Sequence, residues 1–171
     1  MFPSKLRETS FAEPSWATAA AWLVAALIAQ VTIVHFVTVR GVEPSFVLVA
    51  VVWFAIRADM QRAAIYGLAA GLGEDILATA TGGAWTISTT IVAIVAGTLS
   101  RGFFADSLPL VCTITAIATL MRSLIFWIVM AAERYPSGLA LLHFHEALVA
   151  AALNAAIMLV AAVAARRYDA R

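Results

Sequence analysis

Four ionisable residues stand inside long apolar runs. Glu74 and Asp75 are neighbours in one run, Arg122 lies in a second and Glu146 in a third. A charge at the centre of a bilayer costs about 2.5–3.5 kcal/mol on translocon scales, so such groups turn away from lipid and pair. Once paired they serve one of two chemistries: a polar path for ions, protons or a partner, or a lock that fixes one helix packing. Three polar stripes emerge at helical spacing. They are Gly67, Gly71 and Asp75; Thr115, Thr119 and Arg122; and Glu146, Ala150 and Asn154. On ideal helices Asp75 lies about 20 Å beyond Arg62, and Arg122 about 21 Å beyond Leu108. The charges can therefore share one level. The expected polar core comprises Asp75, Arg122, Glu74, Glu146 and Asn154, with Asp75 paired to Arg122 and Glu146 close by. Glu74, about 100° around the helix from Asp75, cannot face the same partner.

Other motifs carry less chemistry. His143-x-His145-Glu146 has the residue types of a metal site, but side chains two apart on a helix diverge, which favours a polar cluster at the outer rim. Gly67-x-x-x-Gly71 is the spacing that lets two helices approach closely, and internal packing is its expected use. Ala17, Ala21, Ala25 and Ala29 form a second small-residue stripe, suited either to packing inside the bundle or to docking another membrane protein. Gly67, Gly71, Ala21 and Ala25 are accordingly the expected helix-packing positions. Gln30 and His35 are isolated polar residues expected to bond between helices. There is no phosphate-binding loop, dinucleotide fingerprint, HExxH or serine elbow. No catalytic residue, metal or cofactor is expected.

These residues need helices to hold them. Of 171 residues 63% are hydrophobic and 12% charged, about half the charge of an average soluble domain. Lipid is the solvent that tolerates such a surface. The reading is an all-α integral membrane protein: a short polar tail over 1–15, one membrane domain over 16–165, and a basic end over 166–171. The expected spans are 16–39, 45–56, 63–80, 85–99, 108–132 and 141–165. The second is short for a full crossing, being either a helix in thinned bilayer or a re-entrant segment. Charge arbitrates. With six crossings Lys5, Arg7, Arg57, Arg62, Arg101, Arg166, Arg167 and Arg171 fall on one side, against Arg40 and Arg134 on the other. The basic side is cytoplasmic, which places both termini there and makes span 2 a true crossing. Trp16, Trp85, Tyr135 and Tyr168 stand at span ends, as interfacial aromatics do. The first apolar run is too long for a cleaved signal core. The lone Cys112 excludes an internal disulfide, and a net charge of +1 gives no reason to expect nucleic acid.

The stretch from Pro44 to about Phe126 resembles the rod shape-determining MreD family. Pro44 opens a short apolar span, Pro44-Ser-Phe-Val-Leu-Val; a basic turn follows. Next comes the glycine-rich Gly67-Leu-Ala-Ala-Gly71-Leu-Gly-Glu-Asp75-Ile-Leu, and Gly82-Gly83 opens the next span. Glu74 beside Asp75 departs from the family pattern. The resemblance implies a non-catalytic component of the bacterial cell-elongation (rod shape) machinery in the inner membrane. Such a protein regulates peptidoglycan synthesis with an MreC-like protein, a RodA-like glycosyltransferase, a penicillin-binding transpeptidase and an MreB-like filament. Asp75 would be the residue carried over, in a structural or partner-facing role. The alternative is the substrate-binding membrane subunit of an energy-coupling-factor vitamin transporter, which would use the stripe from Ala17 to Ala29 to dock its coupling partner.

Overall fold

In the computed structural model the residues described are 15–78, 81–99, 107–133 and 140–169. Expectations for Lys5, Arg7, Arg101, Arg134, Tyr135 and Arg171 fall outside them, as does the side chain of Tyr168. Among the described residues the fold is all-helical: α1 (Trp16–Thr32), α2 (Phe46–Ala55), α3 (Met60–Ala78), α4 (Ala84–Leu99), α5 (Leu108–Ala132) and α6 (Ala140–Asp169). A 3₁₀ turn, Val34–Phe36, follows α1. Two helical stretches, Leu108–Ala132 and Leu141–Arg167, are long and apolar enough to cross a membrane; α1, α2 and α4 are shorter apolar helices.

The helix starts are written in local chemistry. The hydroxyls of Ser15 and Ser45 accept from the backbone N–H of Thr18 and Leu48 at 3.1 and 3.0 Å. The Asp59 carboxylate accepts from the Arg62 N–H at 2.7 Å and so caps α3. Pro109 occupies the first turn of α5, where a missing N–H costs nothing. Between α1 and α2 the chain departs from the expected span of 16–39. Helix α1 stops at Thr32, and Val39 and Val42 exchange two backbone hydrogen bonds of 3.0 Å around Arg40 and Gly41. Both central residues have positive φ, 53° and 82°, as a two-residue hairpin turn requires. Valine, isoleucine and threonine dominate residues 31–39, and their χ1 stiffness lowers helix propensity there.

Helix α2 is the axis of the molecule. It touches each of the other five helices, and seven of its ten residues are buried. One apolar cluster joins Val47, Val51 and Phe54 to Ala19, Ala26, Tyr66, Ala70 and Ala93. A second joins Leu48, Val49, Val52 and Ile56 to Val92, Val111, Ala118 and Met158. Burial on every side explains the uninterrupted apolar run of the α2 sequence, which shows no polar face. Contacts between successive helices are antiparallel, with Phe54 against Trp16 and Tyr66, Gly71 beside Thr86 while Gly97 is beside Ala63, Trp85 on Phe126 and His143 bonded to Ser123, so α2, α4 and α6 run one way and α1, α3 and α5 the other.

The glycines of α3 set the closest contact. A Cβ at Gly67 would stand 2.5 Å from the Ala93 Cβ, and one at Gly71 2.5 Å from the Thr86 Cα and 2.8 Å from the Trp85 carbonyl oxygen. Gly67 and Gly71 are thus used inside the bundle, where they bring α3 against α4. The alanine stripe of α1 is not. Ala17, Ala21 and Ala25 are exposed, and the inward face instead carries the buried Ala19 and Ala26. Ala21 and Ala25 are therefore corrected from packing positions to outward ones. Ala26 lies seven residues past Ala19, nearly two full turns, and this i, i+7 pair defines the inward face better than a run of i, i+4 steps.

Candidate functional site

The polar residues of the interior converge on the start of α2. Pro44 is fully buried there, and the first N–H groups of the helix need acceptors. The Ser45 N–H donates to Asn154 Oδ1 of α6 at 2.7 Å, and the Phe46 N–H to Gln30 Oε1 of α1 at 2.8 Å. Gln30 Nε2 donates in turn to the Pro44 carbonyl at 3.1 Å. Two side-chain amides, one from α1 and one from α6, thus satisfy buried backbone groups at the start of α2.

The charged pair lies beside this cap. Arg122 Nη2 of α5 donates to Glu74 Oε1 of α3 at 2.7 Å, with the two side chains only 5% and 9% exposed. Arg122 Nη1 donates to Ser45 Oγ at 2.9 Å, and that hydroxyl donates to Glu74 Oε1 at 3.3 Å. Thr89 of α4 donates to the other carboxylate oxygen at 3.2 Å. Asn154 Nδ2 donates to the Thr119 hydroxyl at 3.1 Å. The Trp85 ring covers the guanidinium, with Cζ 4.3 Å from the ring centroid. Trp85 stacks on Phe126 at 4.0 Å, and Phe126 on His143 at 5.9 Å. Arg122 Nε is buried and has no hydrogen-bond partner among the described residues. All six helices contribute a group, counting Ser45 as the cap of α2.

The partner of Arg122 is thus Glu74, and the expected pair with Asp75 is corrected. Counted from Gly67, Glu74 is seven residues on and returns to within about 20° of it, whereas Asp75 is eight on and overshoots by about 80°. The buried face of α3 follows the first spacing: Gly67, Gly71 and Glu74 are buried and Asp75 is half-buried. Asp75 has a different employment. Its carboxylate accepts from the Thr81 hydroxyl at 2.6 Å, the Trp85 N–H at 3.2 Å, and the Thr86 N–H and hydroxyl at 2.8 and 2.5 Å. It caps the first turn of α4 and ties that turn to the end of α3. An anion at a helix N-terminus is the favourable placement.

Glu146 is corrected in the same way. It is exposed, and the buried stripe of α6 is Ala147, Ala151, Asn154, Met158 and Ala162. Glu146 precedes that stripe by one residue, about 100° of rotation. His145 is exposed, while His143 is half-buried and donates from Nε2 to the Ser123 carbonyl at 3.2 Å. The two imidazoles diverge, as their spacing requires. His35 is not an interhelical group either: it is exposed in the 3₁₀ turn, 3.9 Å from Glu43.

Sequence reasoning overlooked Ser45, Thr89 and the inward use of Trp85. The first had a signal, since a serine before an apolar run reads as a helix cap. The other two are set by tertiary contact alone. Chemically the cluster is a buried ion pair clamped to a helix start, with Arg122 Nε left without a hydrogen bond among the described residues. No family model matches this chain, and neither a curated protein nor a solved structure matches it.

Proposed function

We propose that the chain is a six-span membrane protein with both termini in the cytoplasm, serving as a non-catalytic member of the bacterial cell-elongation machinery in the manner of the MreD family. The observation that carries the membrane part is inverted polarity. Arg122 and Glu74 are 4% and 8% exposed, while Ile76 and Val160 are 75% and 70% exposed. Large apolar side chains point outward along α1, α3, α4, α5 and α6. Water would reverse this arrangement; hydrocarbon favours it. Helix α2 is shorter than a bilayer, but its first N–H groups are capped by Asn154 and Gln30. Its start can therefore lie below the membrane surface without unsatisfied backbone.

The cell-elongation reading rests on the resemblance from Pro44 to Phe126. It is supported by what those residues do here: Pro44 and Ser45 seat the central helix, Gly67 and Gly71 admit α4, and Asp75 holds the α3–α4 turn. They build a scaffold, and a scaffold works through partners. The outward-facing Ala17, Ala21 and Ala25 keep the energy-coupling-factor reading as the second, because a small-residue face on α1 is what a coupling partner would grip.

Affinity capture of tagged protein in mild detergent from its native host separates the two. Recovery of MreC-like, RodA-like or penicillin-binding proteins is the expected result. Recovery of a coupling-factor membrane subunit with its ATPases, or of a tightly held small molecule, would replace the first reading with the second.

A further inference from the structure

Five helical threonines treat their hydroxyls alike. Thr32, Thr90, Thr113, Thr115 and Thr119 donate to the carbonyl four residues earlier in their own helix, at 2.7, 2.6, 2.9, 2.8 and 2.8 Å. Thr89, fully buried on α4, does not. Its hydroxyl reaches across to Glu74 Oε2 on α3, over a longer 3.2 Å. The carbonyl it forgoes is that of Trp85, which accepts from Ser88 Oγ at 3.2 Å and has a second lone pair. The other side of Glu74 shows a complementary gap. On a planar guanidinium Nε–H and the Nη2 N–H lie side by side, a fork that matches the two oxygens of a carboxylate. Glu74 takes one prong, with Oε1 on Nη2 at 2.7 Å. The second prong, Arg122 Nε, is buried without a hydrogen bond among the described residues. A turn of the carboxylate that keeps Oε1 on Nη2 brings Oε2 toward Nε and releases Thr89.

We infer that Glu74, Thr89 and Arg122 form a two-position latch at the centre of the bundle. In the first position Glu74 ties α3 to α4 through Thr89. In the second it grips both Nη2 and Nε of Arg122 on α5, and Thr89 folds back on the Trp85 carbonyl as the other threonines do on theirs. Each position is imperfect. The first strands a buried donor. The second puts the Thr89 and Ser88 hydroxyls on one carbonyl, already close against Gly71. Two arrangements of comparable quality are what a bistable element requires. No proton or charge moves between them; what changes is whether α4 is bonded to α3 at this depth. A partner that binds one arrangement of α4 better selects that position. The latch concerns the interior alone and stands whichever partner the protein meets.

NMR of the detergent-solubilised full chain with nitrogen-labelled arginine reads the latch at Arg122 Nε. Arg122 is the one buried arginine among those whose side chains are described, so its Nε–H is the signal slowest to exchange with water. Wild type is expected to show relaxation dispersion on that signal, from exchange between the two positions on the μs–ms scale. T89V keeps the shape of the side chain and removes the hydroxyl, which leaves Glu74 on both prongs. The Nε–H proton should then move downfield, the dispersion should vanish, and the unfolding midpoint should stay near that of wild type. T89S restores the hydroxyl and should restore the dispersion. Flat dispersion in wild type overturns the inference and needs no variant. An unmoved Nε–H signal in T89V overturns it, as does a T89V midpoint as low as that of E74L, which would make Thr89 a fixed anchor. T89S behaving as T89V overturns it too, because the hydroxyl would then not be the catch.

Discussion

Glu74 and Asp75 are consecutive residues on α3 that serve different parts of the molecule. Glu74 is buried and reaches across the bundle to Arg122, Ser45 and Thr89. Asp75 is half-buried and serves a local turn, within eleven residues of itself. One acid holds helices that are distant in sequence; the other holds a neighbour. The difference teaches how depth sets the worth of a charge. A carboxylate removed from solvent and joined to one guanidinium leaves that cation stranded when it is lost. A carboxylate that accepts several N–H and O–H bonds near a helix start leaves donors that water or nearby oxygens can partly serve.

The sharpest break in this comparison is Glu74→Leu. It leaves Arg122 buried and unpaired, and breaking a buried pair from one side costs about 3–5 kcal/mol. A large fall in the unfolding midpoint in detergent is expected, with loss of yield. The double variant Glu74→Leu with Arg122→Leu should recover much of the loss, because two apolar side chains of similar size then replace two charges. Asp75→Leu combined with Arg122→Leu should show no such recovery. If the Asp75 combination recovered and the Glu74 combination did not, the assignment of the pair would be reversed.

Gly71→Ala comes next and tests the contact that brings both acids into place. Its Cβ would lie 2.5 Å from the Thr86 Cα and 2.8 Å from the Trp85 carbonyl oxygen, all backbone, which no rotamer change can relieve. Overpacking of this kind costs about 1–3 kcal/mol. Because Thr86 and Trp85 are also the Asp75 partners, the same variant should disturb the α3–α4 turn, read as faster hydrogen exchange at the Trp85 and Thr86 amides. Asp75→Ala should cost less, about 0.5–2 kcal/mol, as removal of a helix cap does. The exchange increase should again be confined to the first turn of α4. An equal or larger loss than that of Glu74→Leu would erase the distinction between the two acids.

What could be read from the residues divides along the same line. Composition and apolar runs give the helices, and α2, α4 and α5 begin and end within a residue or so of the expected limits. The N-cap at Ser45, the glycine approach at Gly67 and Gly71, and the interhelical role of Gln30 follow from local chemistry. The inward faces depend on rotation, and there small spacing errors accumulate. Thr115, Thr119 and Arg122 are spaced i, i+4, i+7, and all three are buried on one face. The stripes ending in Asp75 and beginning at Glu146 are spaced i, i+4, i+8, and both drift off the buried face by about 80°. A period of 3.6 closes after seven residues, not eight. With that spacing Gly67 leads to Glu74, and Asn154 leads back to Ala147, the residues found inside. Trp85 could not be placed this way, since its indole turns inward only because Arg122 and Phe126 are there to receive it.

The smallest expected effect is also the cleanest control on that rotation argument. Glu146→Gln alters a charge in an apolar run, which by sequence alone is as suspect as Glu74. On α6 it lies one residue outside the buried stripe and is exposed. The unfolding midpoint should stay where it is. Ala147→Leu, one residue away and buried, should lower it, because the added volume enters a packed face. Ala21→Leu and Ala26→Leu form the same contrast on α1, outward against inward. If Glu146→Gln proved as damaging as Glu74→Leu, α6 would have to turn by about 100°. Asn154 would then leave the start of α2, and the capping of the Ser45 N–H would fail with it.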